Sequence, residues 1–529
     1  MRFLLVNPYY PISETPSPPL GLACLSAALE RAGVEVKIFD LVVFPYSKKK
    51  LESVLKDFLP HFVGATAVTM TFDNAASVLR DTKNINPDIL TVMGGPHVTF
   101  YAVEAMKAIP EIDLIVLGEG DETIVDLVKA ADNGCNWDNI KGIVYREGFA
   151  IRNSGFRKSP IDIDSLPVPA RHLVPLGRYR ALGMPISMTT SRGCPFRCIF
   201  CVGRKMVGSR IRLRNPEKVV DELGYLNGLG FLQINIADDL FTANEKHCLA
   251  VCDGIIRSRL KANWTCFGRV DTVSRRVLAR MKEAGCHVIS FGVESANEGI
   301  LKTVKKGITI EQVIEAINMC LEVGITPHIS FILGLPGETP ETLKETTEFG
   351  KKLKDMGASY GFHLLAPFPG TEVREQSDKF GMKILTNDWT QYHANRALVE
   401  TGSVDKEMLD RIVIEWENDF NEWLGEIKRR IGTGEATEDE AFLLTNLEHT
   451  VIIYDLMMKK VIEDKGSWPN IGKPLLKESV FRTLTDRVAS STNFTNEQVN
   501  NTLNLAVKQE NLRWREDKGY IRWEWVNFL

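Results

Sequence analysis

Buried-strand and amphipathic-helix patterns alternate through the first 145 residues. An apolar strand, RFLLVN, opens the chain, and a helix that begins near Leu20 follows it with apolar residues at helical spacing. Further strands are predicted at VEVKIFD, FVGATAVTM, ILTVMGG and LIVLGEG, and helices are predicted around 75–83, 103–108 and 121–130. This alternation predicts a doubly wound parallel sheet, a Rossmann-like domain over residues 1–145.

Turn-rich and glycine-rich segments follow the strands of this first sheet. They lie at Asn7-Pro8, 69–73, 94–97 and 118–120. Ligands of doubly wound sheets bind at the carboxyl ends of the strands, so these segments are the predicted ligand-binding edge.

A second strand–helix alternation begins near Pro185 and runs to 385. Its strands are predicted at ISMTTSRG, FLQINIADDLF, TCFGRVDT, HVISFGVES, PHISFILGLPGE and GFHLLAPFPGT. Six such units predict an α/β barrel that stays open, since closure takes eight. Polar and glycine residues follow its strands, which is where barrels carry their reactive groups: Asp238, Asp239, Arg269, Glu294, Ser295, 334–338 and 369–370.

The remaining segments lie between and beyond the two alternations. Residues 146–184 continue a predicted hairpin, GIVYREGFAIRN, into a proline-rich linker, IDIDSLPVPARH. Beyond 386 the pattern predicts a helical domain with long helices at 406–430 and 437–464, the second with a Thr437–Glu440 capping box. The tail predicts two helices and a hairpin turning at Lys518-Gly519, the order of a winged helix.

Composition limits the function classes. The 529 residues carry a formal charge of −4, and four acidic residues lie in or beside the tail hairpin, so we expect no nucleic-acid partner. No apolar stretch is long enough for a membrane span, and the opening apolar run is too short for a signal peptide. Ten cysteines, three of them bunched, favour a reducing compartment and metal binding over disulfides, so we predict a cytoplasmic protein.

The bunched cysteines are Cys194, Cys198 and Cys201, in TTSRGCPFRCIFCVG. Three such thiols can hold an iron–sulfur cluster and leave one iron without a protein ligand. A structural zinc site would need a further ligand, and the other close pair, Cys248 and Cys252, falls inside a predicted helix. Buried inert thiols are the remaining alternative for the three, and the interpretation we give to Cys248, Cys252, Cys266, Cys286 and Cys320.

The CxxxCxxC spacing, with Phe200 before the last Cys, resembles the signature loop of radical S-adenosylmethionine (SAM) enzymes. The resemblance implies a [4Fe–4S] cluster whose open iron binds SAM. Transfer of an electron from the cluster to SAM would then release a 5′-deoxyadenosyl radical. GVES, GLPGE and PFPGT resemble strand motifs of the same enzymes. The SAM-binding residues predicted on this basis are Phe200, Asp239, Arg269, Glu294, Ser295 and Gly370; strand-end caps and a structural ion pair at Arg269 are the alternatives.

PPLG, GGPHVTF and GEGDET in the first 145 residues resemble the cobalamin-binding domain of a large radical SAM subfamily. The implied cobalamin-binding residues are Pro19, Gly21, Thr69, Met70, Thr71, Phe72, Gly94, Gly95, His97, Gly118, Glu119 and Gly120. The DxHxxG pattern that places a His on cobalt is absent, because Leu59 stands where HxxG at His61 would need an Asp. We therefore predict cobalt without a protein His ligand, with its lower face towards 69–72.

Two function classes follow from these motifs: an enzyme that uses cobalamin and SAM, and a cobalamin sensor with a degenerate barrel. The intact three-Cys loop favours the enzyme, because a sensor needs no open iron. The resemblance implies methylation of an unactivated carbon or phosphorus centre, with anaerobic closure of a tetrapyrrole ring as the rival reaction. It also implies a small-molecule substrate and a flavodoxin or ferredoxin as reductant.

Overall fold

The computed structural model describes residues 1–11, 13, 15–134, 136–158, 162–393, 395–470 and 476–526. Its first sheet has seven strands in the order β2-β1-β3-β4-β5-β6-β7. They are β1 (Arg2–Asn7), β2 (Glu35–Asp40), β3 (Phe62–Thr66), β4 (Leu90–Gly94), β5 (Leu114–Val116), β6 (Ile143–Glu147) and β7 (Ala150–Asn153). The first five are parallel, as predicted, and β6 and β7 are antiparallel additions at one edge.

Helices cover both faces of this sheet. They are α1 (Leu20–Arg31), α2 (Lys48–Phe58), α3 (Phe72–Ile85), α4 (Pro96–Ala108) and α5 (Thr123–Asp132). Alternate residues of β1 enter two different cores: Phe3 and Leu5 pack with α1 and α5, and Leu4 and Val6 pack with α2, α3 and α4. The doubly wound fold is therefore confirmed, with α2 added to the predicted helices.

The predicted hairpin is part of the first sheet. Since β6 spans Ile143–Glu147, the predicted boundary after residue 145 falls inside a strand. The linker that follows holds two short 3₁₀ turns, Ile163–Ser165 and Arg171–Leu173, and α6 (Leu176–Ala181). Tyr179 in α6 donates a hydrogen bond to the buried Asp40 carboxylate at 2.8 Å, which ties the linker to the end of β2.

The second sheet has six parallel strands in the order β15-β14-β13-β12-β11-β8. The strands of this region are β8 (Ile186–Met188), β9 (Ser191–Arg192), β10 (Arg212–Leu213), β11 (Ile234–Ile236), β12 (Trp264–Gly268), β13 (Cys286–Glu294), β14 (Thr326–Leu333) and β15 (Ser359–Leu364). Its helices are α7 (Gly203–Val207), α8 (Pro216–Gly228), α9 (Glu245–Arg257), α10 (Arg275–Glu283), α11 (Glu298–Thr303), α12 (Ile310–Val323), α13 (Pro340–Asp355) and α14 (Glu372–Glu375). In the described ranges β15 and β8 do not pair with each other, so the barrel is open, as predicted.

The C-terminal region is largely helical. A two-stranded ribbon, β16 (Met382–Ile384) and β17 (Val399–Thr401), precedes α15 (Lys406–Thr433), α16 (Glu438–Met458), α17 (Val461–Lys465), α18 (Lys477–Ala489) and α19 (Asn496–Lys508). The predicted helix 437–464 is wrong as one element, because Lys460 adopts φ +54° between α16 and α17. The tail forms a three-stranded sheet of β18 (Ser467–Pro469), β20 (Tyr520–Trp525) and β19 (Leu512–Asp517), whose hairpin turns at Lys518-Gly519.

None of the helices in the described part of the chain combines the length and apolar character that crossing a membrane requires.

Candidate active site

The three cysteines line one cavity of about 330 Å³ at the carboxyl end of the barrel strands. Cys194 and Cys198 are half-buried, and Cys201 is exposed to the cavity. The cysteines lie on the loop between β9 and α7, which we call the cluster loop (residues 193–203). The loop thus gathers the predicted thiols on one open surface.

Backbone hydrogen bonds fix the cluster loop from several sides. Gly193 adopts φ +114°, and a Cβ there would lie 2.3 Å from the Arg210 carbonyl oxygen, so only glycine fits. The Ile199 N–H donates to the Val304 carbonyl, and the Ile199 carbonyl accepts from the Val373 N–H. The loop is therefore held between segments that follow different strands of the barrel.

Among the described residues, the cavity is lined by no fourth cysteine and no histidine that could complete a zinc site. Across the described residues, no group of three His, Cys, Asp or Glu side chains is arranged to share one metal ion. The five other thiols that we predicted to be buried, from Cys248 to Cys320, lie in the barrel core. The Gly203 N–H lies 3.3 Å from the Cys201 sulfur, the type of contact that tunes the potential of an iron–sulfur cluster.

Cationic side chains surround the thiols. Arg197, Arg204, Lys205 and Lys305 line the same cavity, with Glu372 as its one carboxylate, and Lys305 is paired with Glu372 at 2.8 Å. Burial raises the pKa of the Cys198 and Cys201 thiols, and nearby Lys306 and Arg269 oppose that effect at Cys198. Positive charge at this position matches the negative charge that a thiolate-bound cluster carries.

Two of the predicted SAM-binding residues are paired within the protein. Arg269 makes a bidentate ion pair with Asp271, at 2.9 and 3.0 Å, and donates to the Lys306 carbonyl at 2.8 Å. Its guanidinium also covers the Phe196 ring of the cluster loop, 3.6 Å from the centroid. Glu294 accepts from the Lys306 ammonium at 2.8 Å, and both side chains are buried. Sequence reasoning missed Lys306 and Phe196, although both lie close to the motifs that it used.

The other four predicted SAM-binding residues have different surroundings. Asp239 is exposed and accepts the Gly193 N–H at 3.1 Å, which places its carboxylate beside the cluster loop. Gly370 lies at the same place, since its carbonyl accepts from Lys205 at 2.6 Å. Phe200 packs in the small apolar core beneath the loop. Ser295 instead is fully buried, with its hydroxyl 3.3 Å from that of Thr346 in α13.

The ligand-binding edge of the first sheet holds an apolar slot of about 70 Å³ whose wall includes Gly64, Gly94, Gly95, Gly118 and Gly120. A Cβ on Gly95, at φ +102°, would lie 2.6 Å from the Ala67 carbonyl oxygen, and one on Gly120 would lie 3.2 Å from Leu25. A side chain at Gly95 would therefore collide with the backbone, whereas one at Gly120 would narrow the slot, which Leu25 lines. The slot is a narrow apolar opening at the predicted ligand-binding edge.

The predicted loop after β3 encloses a histidine. Thr69, Met70 and Thr71 form a 3₁₀ turn that leads into Phe72, and the Thr69 hydroxyl lies 3.3 Å from His97 Nδ1. His97 is 1% exposed, and burial lowers its pKa to about 3, so the ring is neutral. The rings of Phe72, Tyr101 and Trp389 surround it at 4.5, 5.3 and 4.9 Å between centroids.

His61 lies at the opposite edge of the sheet. It precedes β3, and its Nδ1 accepts the N–H of Arg2 at the start of β1, at 3.1 Å. At the ligand-binding edge, Pro19 is the residue before α1, and Gly21 in the first turn of α1 faces open space. His61 is therefore at the wrong end of β3 to reach a ligand of the first sheet.

Glu119 joins the two sheets. Its carboxylate accepts from Arg192 at 3.0 Å and from Arg212 at 2.9 Å, and Asp121 accepts from Arg192 at 2.9 Å. Arg192 directly precedes the cluster loop. Sequence reasoning placed Glu119 against cobalamin and missed both arginines, because no local pattern reports a contact across about 70 or more residues.

A second contact closes the same interface. A Cβ on Gly370 would lie 2.3 Å from the Phe100 ring of α4, so this glycine permits the barrel to approach the first sheet. Trp389, which follows the barrel, packs on His97 and lies under the Arg374 guanidinium at 4.7 Å. The carboxyl edges of both sheets thus face each other across the cluster loop.

Comparisons with known proteins agree with this division. The family model "Radical SAM superfamily" matches residues 188–350, and the model "B12 binding domain" matches residues 13–128. The chain is 38% identical over 399 residues to an uncharacterized methyltransferase of Pyrococcus horikoshii, PH0819, covering 74% of this chain and 86% of that protein. The chain belongs to the cobalamin-dependent radical SAM enzymes.

A relative with a different named activity has similar coverage. The anaerobic magnesium-protoporphyrin IX monomethyl ester cyclase of Rubrivivax gelatinosus is 30% identical over 440 residues, which is 79% of this chain and 77% of that protein. The solved structure of OxsB, a cobalamin-dependent SAM radical enzyme with aqua-cobalamin and SAM bound, has the same fold. It aligns with a TM-score of 0.68 at 19% identity, over 96% of this chain and 81% of that one.

The family membership fixes the cofactors. The chain is an enzyme that uses a [4Fe–4S] cluster, SAM and cobalamin, and methyltransferase activity is better supported than cyclisation. The predicted fold class is confirmed, and the sensor alternative is set aside.

Proposed function

We propose that this enzyme methylates a carbon atom of a small molecule. The cofactors supply a radical that abstracts hydrogen from the substrate and a cobalt-bound methyl group that the resulting carbon radical takes. The observation that carries the proposal is the contact of Glu119 with Arg192, which joins the cobalamin edge of the first sheet to the cluster loop of the barrel. Methyl transfer needs both edges at one substrate, and the relative that is 38% identical to this chain is named a methyltransferase.

The chain's own residues then have distinct tasks. Cys194, Cys198 and Cys201 hold the cluster, and the cations around them balance its charge. The Asp239 carboxylate and the Gly370 carbonyl offer acceptors for the ammonium, ribose hydroxyls or adenine amino group of SAM. Arg269 and Glu294 chiefly hold neighbouring groups in place, because Asp271 and Lys306 already neutralise their charges.

The glycine-lined slot would hold the nucleotide of cobalamin, and the turn at 69–72 would lie against the lower face of the corrin. His97 forms part of the wall beneath that face, since three aromatic rings enclose it. Arg192 and Arg212, through Glu119, keep this site at a fixed position relative to the cluster loop. Fixed relative positions of reacting groups are a main source of rate acceleration.

A low-potential reductant completes the proposal. The exposed side of the cluster loop carries Arg197, Arg204 and Lys205, and an acidic flavodoxin or ferredoxin would complement this charge. The enzyme would work in the reducing cytoplasm, where an open iron site survives.

The experiment is anaerobic turnover of the reconstituted enzyme with candidate substrates, cobalamin, SAM and a low-potential reductant that supplies the electron for SAM cleavage. Methyl transfer requires S-adenosylhomocysteine and 5′-deoxyadenosine in equal amounts, because one SAM supplies the radical and another restores the methyl group. 5′-Deoxyadenosine without S-adenosylhomocysteine would favour cyclisation.

A further inference from the structure

A cavity of about 700 Å³ lies at the open side of the barrel. There β15 is the last strand of the sheet, and α15 runs past its free edge. The cavity is about twice the size of the one at the three thiols and is within the range of pockets that hold small organic ligands. None of the residues assigned above to the cluster, SAM or cobalamin lines it.

One wall of this cavity is aromatic. Trp416, Phe420 and Trp423 recur at helical spacing on α15, and their neighbouring rings lie 6.2 and 5.6 Å apart between centroids. Phe420 and Trp423 remain 42% and 37% exposed. Trp416 continues the row into the barrel by contacting Phe362 of β15 at 6.5 Å. A row of exposed aromatic faces at a cavity mouth is suited to binding a planar ring.

The opposite wall carries two histidines of adjacent strands. His328 of β14 and His363 of β15 line the cavity, and the Nδ1 of His328 lies 3.0 Å from the Ser359 hydroxyl. Burial, together with the nearby His363, lowers the pKa of His328, so this ring is a neutral hydrogen-bonding group. His328 therefore offers hydrogen-bonding atoms to the cavity without a positive charge.

The charged residues of the lining are acidic in balance. The cavity is lined by two carboxylates of α15, Glu417 and Asp419, and by one cation, Lys354 of α13. Asp355 and Asp419 both act on Tyr360, whose pKa is raised by burial first and by these carboxylates second. The mouth of the cavity therefore favours a cationic or neutral ligand over an anionic one.

The cavity runs along β15 from its first residue, Ser359, to His363 near its carboxyl end. His363 pairs in register with Ile332 of β14, and Ile332 packs in the same apolar cluster as Phe200. Phe200 is the residue before Cys201. A molecule whose inner end lies at His363 would thus point towards the carboxyl ends of the barrel strands, the edge that carries the cluster loop.

We propose that this side cavity binds the substrate of the enzyme, and that the substrate is a planar aromatic compound with a protonated amine. The aromatic row stacks on the ring, Glu417 and Asp419 attract the ammonium, and the two imidazoles hydrogen-bond the inner end. This assignment rests on the proposed function, because it presumes a small-molecule substrate. The acidic mouth disfavours the carboxylate-bearing tetrapyrrole that a cyclase would take.

The test uses two probes that share an indole ring. Calorimetric titration of the full chain at pH 7 should detect tryptamine binding, with indole-3-propionate at least about ten-fold weaker, because only the charge of the side arm differs. Trp423→Ala should weaken tryptamine binding by about ten-fold, in line with loss of a stacking face. The double variant E417Q/D419N should remove the preference for the amine.

Phe442→Ala on α16 is the matched control, since this exposed aromatic side chain does not line the cavity. It should leave both affinities unchanged, and Phe420→Leu, which keeps the apolar volume, should weaken tryptamine less than Trp423→Ala does. Circular dichroism checks that each variant is folded. Equal affinity for the two probes, no binding of either, or full affinity in Trp423→Ala would each overturn the proposal.

The titration does not depend on turnover. If tryptamine binds as described but no methyl transfer is found, the proposed function fails and the aromatic-amine site stands. If methyl transfer is found and Trp423→Ala retains full tryptamine affinity, the site assignment fails alone.

Discussion

The guanidinium of Arg192 lies 3.0 Å from the carboxylate of Glu119 and joins the cluster loop to the edge of the cobalamin-binding sheet. Arg212 binds the same carboxylate at 2.9 Å, and Glu119 and Arg212 are less than a tenth exposed. The B12-binding domain and the radical SAM domain are therefore joined through one buried acid.

Replacing Glu119 by Gln should destabilise the enzyme, because Arg192 and Arg212 lose their shared counter-ion inside the interface. We expect a loss of about 2 kcal/mol in the free energy of unfolding, the order of a charge-assisted hydrogen bond, because Arg192 keeps Asp121 and Arg212 keeps the Val207 carbonyl. Thermal and urea unfolding measure it. Glu147→Gln, which removes an exposed pair with Arg152, is the control and should change nothing measurable.

Replacing any one of Cys194, Cys198 and Cys201 by Ala should abolish the visible absorbance of the reconstituted cluster and all SAM cleavage. Three thiolates are the fewest that hold a cluster with one open iron. The double variant Cys248→Ala/Cys252→Ala should keep both properties, because these thiols lie in the barrel core. Iron content that follows the second pair would contradict the site.

Cobalt should carry no nitrogen ligand from His97 or His61. His97 is enclosed by Phe72, Tyr101 and Trp389, and His61 lies at the other edge of the sheet. Electron paramagnetic resonance of the Co(II) form should therefore show lines without triplet splitting, because a bound nitrogen would split them. Triplets that vanish in His97→Ala would refute this assignment.

Stability should depend on pH through Glu338. Its carboxyl lies in a buried turn after β14 and accepts the N–H groups of Gly334 and Leu335, and burial raises its pKa to about 8. The folded state then holds this proton at pH values where the unfolded chain has released it, so its contribution to stability falls as pH rises from about 4.5 to about 8. The free energy of unfolding, measured across this range, should fall less steeply with pH in Glu338→Gln than in the unchanged enzyme. An unchanged slope would mean that another group causes the pH dependence.

Local patterns predicted the strands and most helices, because the two-residue period of a strand and the 3.6-residue period of a helix are each visible within a single segment. Leu4 and Leu5 already show that both faces of β1 are buried, and Lys518-Gly519 shows the turn of the tail hairpin. The break at Lys460 was missed, since nothing in its neighbours excludes a continuous helix.

Only part of the site could be predicted from the sequence, because some of its contacts are local and others are tertiary. The spacing of Cys194, Cys198 and Cys201 is local, so the cluster loop could be found directly. The partners of Glu119, Arg269 and Glu294 are set by tertiary contacts, and two of them, Arg192 and Lys306, have no motif of their own. The enclosure of His97 by Trp389 joins positions almost 300 residues apart.

Transfer of a methyl group from SAM to a carbon atom of the substrate is tested by reductant-driven turnover with SAM that carries a deuterated methyl group, followed by mass spectrometry of the product. We expect deuterium in the product, with S-adenosylhomocysteine formed beside 5′-deoxyadenosine. A product without the label, formed with 5′-deoxyadenosine alone, would contradict it.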